Sequence, residues 1–243
     1  MKMMKVVEVT AGTLAGVRLF LGLRDHEKRE VARHCRGGRY QAGAEILAHQ
    51  RESGSVYFVV SGRVRVTLTA VSAKVVTFRD LVAGDLFGDL AAIDGLHHSA
   101  TVVTLEESLL AWMSAQRFRE VLTTYPEVTM AALRQLTGLV RNLSDRVVEF
   151  STLAVNNRIH AELLRLARED TADPAVDSEP VTIAELPTHQ EIANRISSHR
   201  EAVSRELARL EKLGLIARDG HALTVLDVPR LARLVAEVKG EAS

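Results

Sequence analysis

The segment Thr188–Leu210, THQEIANRISSHREAVSRELARL, constrains the fold of this chain more than any other. Thr188 has Glu191 three residues on, the pattern of a capping box, in which side chains and backbone exchange hydrogen bonds at a helix start. Ile192, Ile196, Val203, Leu207 and Leu210 then recur at spacings that let two short helices close on each other. The pattern predicts a helix-turn-helix. Its second helix puts Arg200, Glu201 and Arg205 on one face. Two guanidinium forks flanking a carboxylate can read base edges in a major groove, Arg on guanine and Glu accepting from cytosine. The competing reading of that face is a solvated surface with salt bridges.

The residues downstream of this segment favour the first reading. Leu213–Ala217, then Asp219-Gly220, then Ala222–Val225 predict a small hairpin with an Asp-Gly turn. Asp227 is placed to cap a last helix running to Val238, with Pro229 tolerated in its first turn. A helix-turn-helix followed by a hairpin is a winged helix.

Upstream the patterning differs. Gln41–Ala115 is rich in Val, Thr and Leu in short runs broken by glycine. Val56–Val60 is continuously apolar, and Arg63–Leu68 alternates strictly, the period of a half-buried strand. Lys74–Phe78, Ala100–Leu105 and Ser108–Met113 read as further strands. Short strands with regular turn signals predict an antiparallel barrel or roll. Asp25–Arg36 reads as a short helix before it, and Glu106-Glu107 as a solvated turn. After Tyr125-Pro126 the apolar positions Leu133, Leu136, Val140, Leu143, Val147 and Phe150 are spaced 3, 4, 3, 4, 3. That is the a/d stripe of a coiled coil. A long helix lying on its own domain's core is the alternative, but such helices drift toward a wider stripe of period 3.6. Asn156–Arg168 is amphipathic, and Asp170–Pro180 is an acidic, proline-containing loop.

Size and charge set outer limits. At 243 residues the chain is long enough for two domains. Lysine plus arginine equal aspartate plus glutamate, 31 each, so net charge does not announce a nucleic-acid partner and the motif must carry that reading. No apolar run is long enough to span a bilayer, and Met1–Ala15 lacks the apolar stretch of a signal peptide. A single cysteine, Cys35, fits a small core or helix residue in a reducing cytoplasm. No phosphate-binding Walker loop, nucleophile elbow or zincin motif is present, so no enzyme is expected. Nine histidines show no zinc-like spacing, so neither metal nor obligatory cofactor is expected.

A glycine-rich roll, a long dimer helix and a C-terminal winged helix occur together in one family. From about Phe20 to Leu226 the chain resembles the cyclic-AMP receptor protein (CRP/FNR) family of bacterial transcription regulators. The resemblance implies an α+β fold: an N-terminal antiparallel β-roll of the cyclic-nucleotide-binding jelly-roll type over 1–125, a dimerisation helix and hinge over 126–154, and a winged helix-turn-helix over 155–243.

Two segments carry it. His199-Arg200-Glu201-Ala202-Val203-Ser204-Arg205 is similar to the family's S-R-E-x-V-x-R reading helix. This implies Arg200 and Arg205 on guanines, Glu201 at cytosine, and a TGTGA-like half-site. Thr188 and His189 fall where the family's first helix meets the phosphate backbone, contacts that set register without reading sequence. The family's turn often holds glycine where this chain has Ser197, at a modest strain.

The second segment, Gly84–Ala100, resembles the family's phosphate-binding cassette, F-G-E-L followed by R-S-A. Gly88 and Leu90 would line phosphate and ribose, Asp89 would take the ribose hydroxyl, and His98, Ser99 and Ala100 would complete the site. The carboxylate is one methylene shorter than the family's glutamate, and the arginine has become His98. A neutral imidazole makes one bond and carries no charge, which costs about 2–3 kcal/mol, roughly tenfold to a hundredfold or more in affinity. If a bound phosphate protonates His98, beside His97, nucleotide affinity falls as pH rises. On the long helix the family's Thr-Ser pair becomes Leu143-Ser144. The resemblance implies that Ser144 keeps the hydroxyl with which the family reaches the partner subunit's nucleotide. Leu143 offers no bond to the adenine amino group, so base selectivity should be looser and cyclic GMP a second ligand. The alternative is that Leu143 is simply a seam residue.

The expectation is a cytoplasmic homodimer joined through the 133–150 helix, gated by cyclic AMP, with cyclic GMP as a candidate second ligand. It would read a double-stranded DNA palindrome with its reading helices about 34 Å apart and work with RNA polymerase. A nucleotide-independent regulator, or one sensing another ligand, is the alternative on the same fold.

Overall fold

The computed structural model describes residues 3–50, 54–69, 75–170 and 180–239. The chain forms two compact units, Met1–Leu139 and Val140–Ser243.

The first unit opens with β1 (Met3–Val7), α1 (Ala11–Leu14), a 3-10 turn and α2 (Asp25–Arg33). Then come β2 (Arg36–Tyr40), β3 (Glu45–Leu47), β4 (Ser55–Ser61), β5 (Arg63–Thr69), β6 (Val75–Val82) and β7 (Leu86–Phe87). A short α3 (Asp89–Asp94) precedes β8 (Thr101–Thr104), β9 (Ser108–Ser114) and α4 (Ala115–Thr124). The strands make two antiparallel sheets, ordered β1-β2-β9-β4-β7 and β3-β8-β5-β6.

Strand β4 shows why Val56–Val60 is continuously apolar. Val56 and Phe58 pack with Phe20, Met113 and Phe118 in the core beneath the helices. Tyr57 and Val59 pack with Val64, Leu81, Phe87 and Leu110 in the core of the roll. Both faces of the strand are covered, so alternation disappears. Tyr57 stacks on Phe87 at 5.1 Å between ring centres.

Local differences from the sequence reading have physical reasons. The helix expected over Asp25–Arg36 ends at Arg33, because Arg36 already begins β2. Gly37 lies against β1 so closely that a Cβ there would stand 2.6 Å from the Val7 carbonyl oxygen. Strands β1 and β2 and helices α3 and α4 were not expected. Lys74, the start of one expected strand, lies outside the described residues, and that strand runs on to Val82. Glu106 and Glu107 are exposed in a turn, beside Arg63 at 3.9 Å and Arg39 at 3.2 Å. The Cys35 thiol is half-buried, 3.5 Å from the Val31 carbonyl, and burial pushes it up to about 12.

Helix α5 spans Pro126–Thr152. On it Leu133, Val140, Leu143, Val147 and Phe150 are exposed, while Leu136 is half-buried. An apolar stripe exposed along a helix is what a seam requires before its partner is added.

The second unit adds α6 (Val155–Asp170), β10 (Val181–Ile183), α7 (His189–Arg195), α8 (Arg200–Lys212), β11 (Ile216–Asp219), β12 (Ala222–Val225) and α9 (Val228–Lys239). Ile159, Leu163, Ile192, Val203, Leu207, Leu210, Leu223 and Leu231 are fully buried together. The sheet runs β10-β12-β11, and β10, three residues long, was not expected. The hairpin closes with Asp219 opposite Ala222, and Gly220 takes φ +58° in the loop. The Asp227 side chain accepts from the Arg230 amide at 2.9 Å, capping the last helix. Asp170, the first residue of the loop expected over Asp170–Pro180, instead ends α6, and residues 171–179 lie outside the described residues.

Candidate nucleic-acid interface and ligand cassette

The capping box at Thr188 forms in both directions. The Glu191 amide donates to Thr188 Oγ1 at 3.3 Å, and the Thr188 amide donates to Glu191 Oε2 at 2.8 Å. At the other end of α7, Ser197 sits at φ +52° and the Ser198 amide donates to the Ala193 carbonyl at 2.9 Å. This is a Schellman stop with serine in the left-handed position. Helix α8 starts at once after it. Its buried face is Val203, Glu206, Leu207 and Leu210, and Arg200, Glu201 and Arg205 are exposed on the other. Among the described residues none of these three is ion-paired, which disfavours a mere salt-bridged surface. Thr188 is exposed; His189 is half-buried, its Nδ1 2.7 Å from the Ser204 hydroxyl, which ties the start of α7 to α8.

Helix α8 is anchored by charge that the sequence reading missed. Glu206 is 3% exposed and accepts from Arg209 and from His160 Nε2, the latter at 2.7 Å. A carboxylate only accepts, so Nε2 carries the proton, and the buried Nδ1 has no partner among the described residues. Burial pushes the His160 imidazole down from its ordinary value of 6.5, against the pull of Glu206. Glu206 is itself held below the usual carboxylate range by Arg209 and His160, although burial opposes them. Both groups have depressed folded values, so both contribute stability above their unfolded values that is lost on acidification. The second unit should therefore lose stability as pH falls below 6.5. Thermal melts from pH 7.5 to 5 check this, and His160→Gln, which keeps a donor for Glu206, should flatten the upper part of that fall. A wild-type melting temperature constant over the range would contradict it.

A second anchor surrounds Glu162, which is fully buried. Arg195 Nη1 donates to it at 3.3 Å, Arg146 Nη2 at 3.5 Å, and Arg165 through Nη1. Arg165 also holds Glu149 at 2.9 Å. Two of the guanidiniums at hand cap the end of α7: Arg146 donates to the Arg195 carbonyl and Arg158 to the Ile196 carbonyl, each at 3.0 Å. In the sequence these arginines and glutamates carry no assigned role; the signal available was their position among core leucines of an amphipathic helix.

In the first unit, Gly88 caps α3 at φ +85°. A Cβ there would stand 2.8 Å from the Ser55 carbonyl and 3.5 Å from Leu47 Cδ1, so only glycine fits without a shift. Asp89 is half-buried at the first position of α3. Burial raises its carboxyl; its own amide, the Arg79 charge and the Leu90 amide pull the other way. Leu90 is 40% exposed. His98 is 5% exposed, its carbonyl accepts from the Gln50 amide at 2.9 Å, and burial pushes its imidazole down, favouring the neutral form. His97 and Ser99 are exposed and Ala100 is half-buried. Leu47 and Gln50 thus bring Gly88 and His98 to one region of the roll. In the second unit, Leu143 is exposed and the Ser144 hydroxyl donates within its own helix to the Val140 carbonyl at 3.0 Å.

A roll bearing a glycine-capped cassette, with a winged helix presenting arginines that close no ion pair among the described residues, defines a class: a sensor domain joined to a DNA-binding domain. Comparison with known proteins gives the same two parts. Residues 38–125 match the cyclic nucleotide-binding domain family, and residues 157–234 match the Crp-like helix-turn-helix domain family. The cAMP-activated global transcriptional regulator CRP of Haemophilus influenzae is 29% identical over 193 residues, 79% of this chain and 84% of that protein. A CRP-family transcriptional regulator from Thermus thermophilus is 26% identical, with a TM-score of 0.63 over 84% of this chain and 99% of that one. FixK2 from Bradyrhizobium japonicum, 20% identical, shares the fold with a TM-score of 0.69 over 82% of this chain and 96% of its own. The chain belongs to the CRP/FNR family of transcription regulators. No helix among the described residues is long and apolar enough to cross a membrane.

Proposed function

We propose that this protein is a homodimeric regulator that reads a TGTGA-like palindrome and is switched by a cyclic nucleotide. The observation that carries the DNA reading is the exposed Arg200-Glu201-Arg205 face, without ion pairs among the described residues, on a helix whose other face is locked down by Glu206. Arg200 and Arg205 fork onto guanines and Glu201 accepts from cytosine. Thr188 and His189 hold the phosphate backbone, where contacts set register. The exposed stripe Leu133, Val140, Leu143, Val147 and Phe150 pairs with its copy in a second subunit, which supplies two reading helices for two half-sites.

The ligand reading rests on the cassette and on the Haemophilus influenzae relative, which is cAMP-activated by name. Gly88, Asp89, Leu90, His98, Ser99 and Ala100 take the sugar and phosphate. Asp89 accepts from the ribose hydroxyl, Ser99 donates to phosphate, and His98 contributes one neutral hydrogen bond. Leu143 has no polar group for a purine, so cyclic GMP competes with cyclic AMP; Ser144 supplies the hydroxyl at that end. The switched dimer meets RNA polymerase in the cytoplasm.

The test of the DNA reading is fluorescence anisotropy with cyclic AMP present, using a TGTGA/TCACA palindrome and a duplex of scrambled half-sites. The palindrome should bind about a thousandfold tighter or more at physiological salt. Equal affinity for both duplexes would refute it.

A further inference from the structure

With His98 in place of an arginine and held neutral by burial, the cassette itself offers no full positive charge to a cyclic phosphate. The four-stranded sheet brings one. Val66 on β5 lies opposite Arg79 on β6 and opposite Val102 on β8, and Val102 lies opposite Leu47 on β3. Opposed residues in an antiparallel ladder share a face. Leu47, Val102 and Val66 are buried in the core of the roll, as is Leu81 two residues beyond Arg79. Arg79 therefore belongs to the inner face, on the edge strand, where the row meets water and the residue is exposed.

Three further observations aim it at the cassette. Leu47, at the far end of the row, is the side chain against Gly88. The Arg79 charge reaches Asp89, the next residue. The register also shifts beside Arg79: Val66 faces Arg79 but Thr67 faces Thr77, so Phe78 is an extra residue. A bulge of this kind re-aims the neighbouring side chain. Its chain neighbour Asp80 is committed to Arg65, at 2.7 and 2.9 Å, and among the described residues Arg79 closes no ion pair.

We propose that Arg79 is the guanidinium that neutralises the cyclic phosphate of the bound nucleotide. This rests on the cyclic-nucleotide reading of the cassette. Arg79 and Asp89 offset each other before binding; the ligand then takes both, phosphate on Arg79 and ribose hydroxyl on Asp89.

Isothermal titration of the full-length protein with cyclic AMP and cyclic GMP tests it, comparing wild type with Arg79→Gln, Arg79→Lys and His98→Gln. Arg79→Gln should weaken binding by about tenfold to a hundredfold, as expected for a charged phosphate contact. Arg79→Lys should lose less, because it keeps the charge without the fork. His98→Gln should lose less than Arg79→Gln. If the wild type binds and Arg79→Gln binds within about threefold of it, or if His98→Gln loses more, Arg79 is not the phosphate residue and the ligand reading survives. If the wild type binds neither nucleotide, the ligand reading itself is overturned and this assignment with it.

Discussion

Replacing Glu162 with alanine should destabilise the second unit by about 3–5 kcal/mol, the cost of removing one partner from a buried ionic cluster. The reason is the number of cations it serves. Glu162 is fully buried, and Arg146, Arg165 and Arg195 all donate to it, Arg195 being 4% exposed itself. Burial already presses the Arg146 guanidinium down, with Glu162 the largest opposing pull. Without that carboxylate, the neighbouring acid Glu149 offers little relief, because it is already engaged by Arg165. Glu162→Gln keeps the shape and one acceptor, so its cost should be smaller. The damage should also reach the DNA-binding element, because Arg146 and Arg158 cap the carbonyls that end α7. Denaturant unfolding followed by circular dichroism measures the loss. A change under about 1 kcal/mol, the worth of an exposed pair, would show that the cluster holds nothing in place.

The second large effect is on DNA. Arg200→Ala and Arg205→Ala should each cost about 1–3 kcal/mol of affinity for the palindrome and relax preference at one base position each. Both side chains are exposed and contribute nothing to the core, so the melting temperature should stay near that of the wild type. Anisotropy on duplexes with single substitutions in each half-site separates base reading from phosphate attraction. Base reading predicts that a substitution at the matching position no longer matters to the variant. An equal loss on every sequence would assign these arginines to the phosphates instead.

The elements legible in the sequence are those made by neighbours in the chain. The Thr188–Glu191 capping box, the Gly220 hairpin and the Asp227 cap all close within a few residues, so their residue types announce them. The apolar run Val56–Val60 marks a strand, and the structure adds the reason for its continuity, a core on either side. What stayed hidden depends on distant partners. Arg36–Tyr40 carries no strand signal in the sequence, since Gly37-Gly38 is poor strand material, yet Gly37 is there to let Val7 approach. Glu162 and Glu206 look like surface acids until three helices close around them. The same holds in the cassette. The substitution that yields His98 is visible in the sequence, but its burial is not, and Arg79 enters only through a bulged register on a strand distant in sequence from Ser99.

The heptad spacing was likewise readable, and the exposure of Leu133, Val140, Leu143 and Val147 supports the seam we propose. Two subunits would turn one Arg-Glu-Arg face into a reader of inverted half-sites, and the cassette would then decide when that reader engages.

The most direct test of the whole account is a gel shift of the full-length protein on a TGTGA/TCACA palindrome with half-site centres about one helical turn apart. Lanes without ligand are compared with lanes containing cyclic AMP or cyclic GMP. A nucleotide-gated dimer should give little complex without nucleotide, and a dimeric complex with either one. The same complex at the same protein concentration without any nucleotide would contradict it and mark a regulator that does not need this ligand.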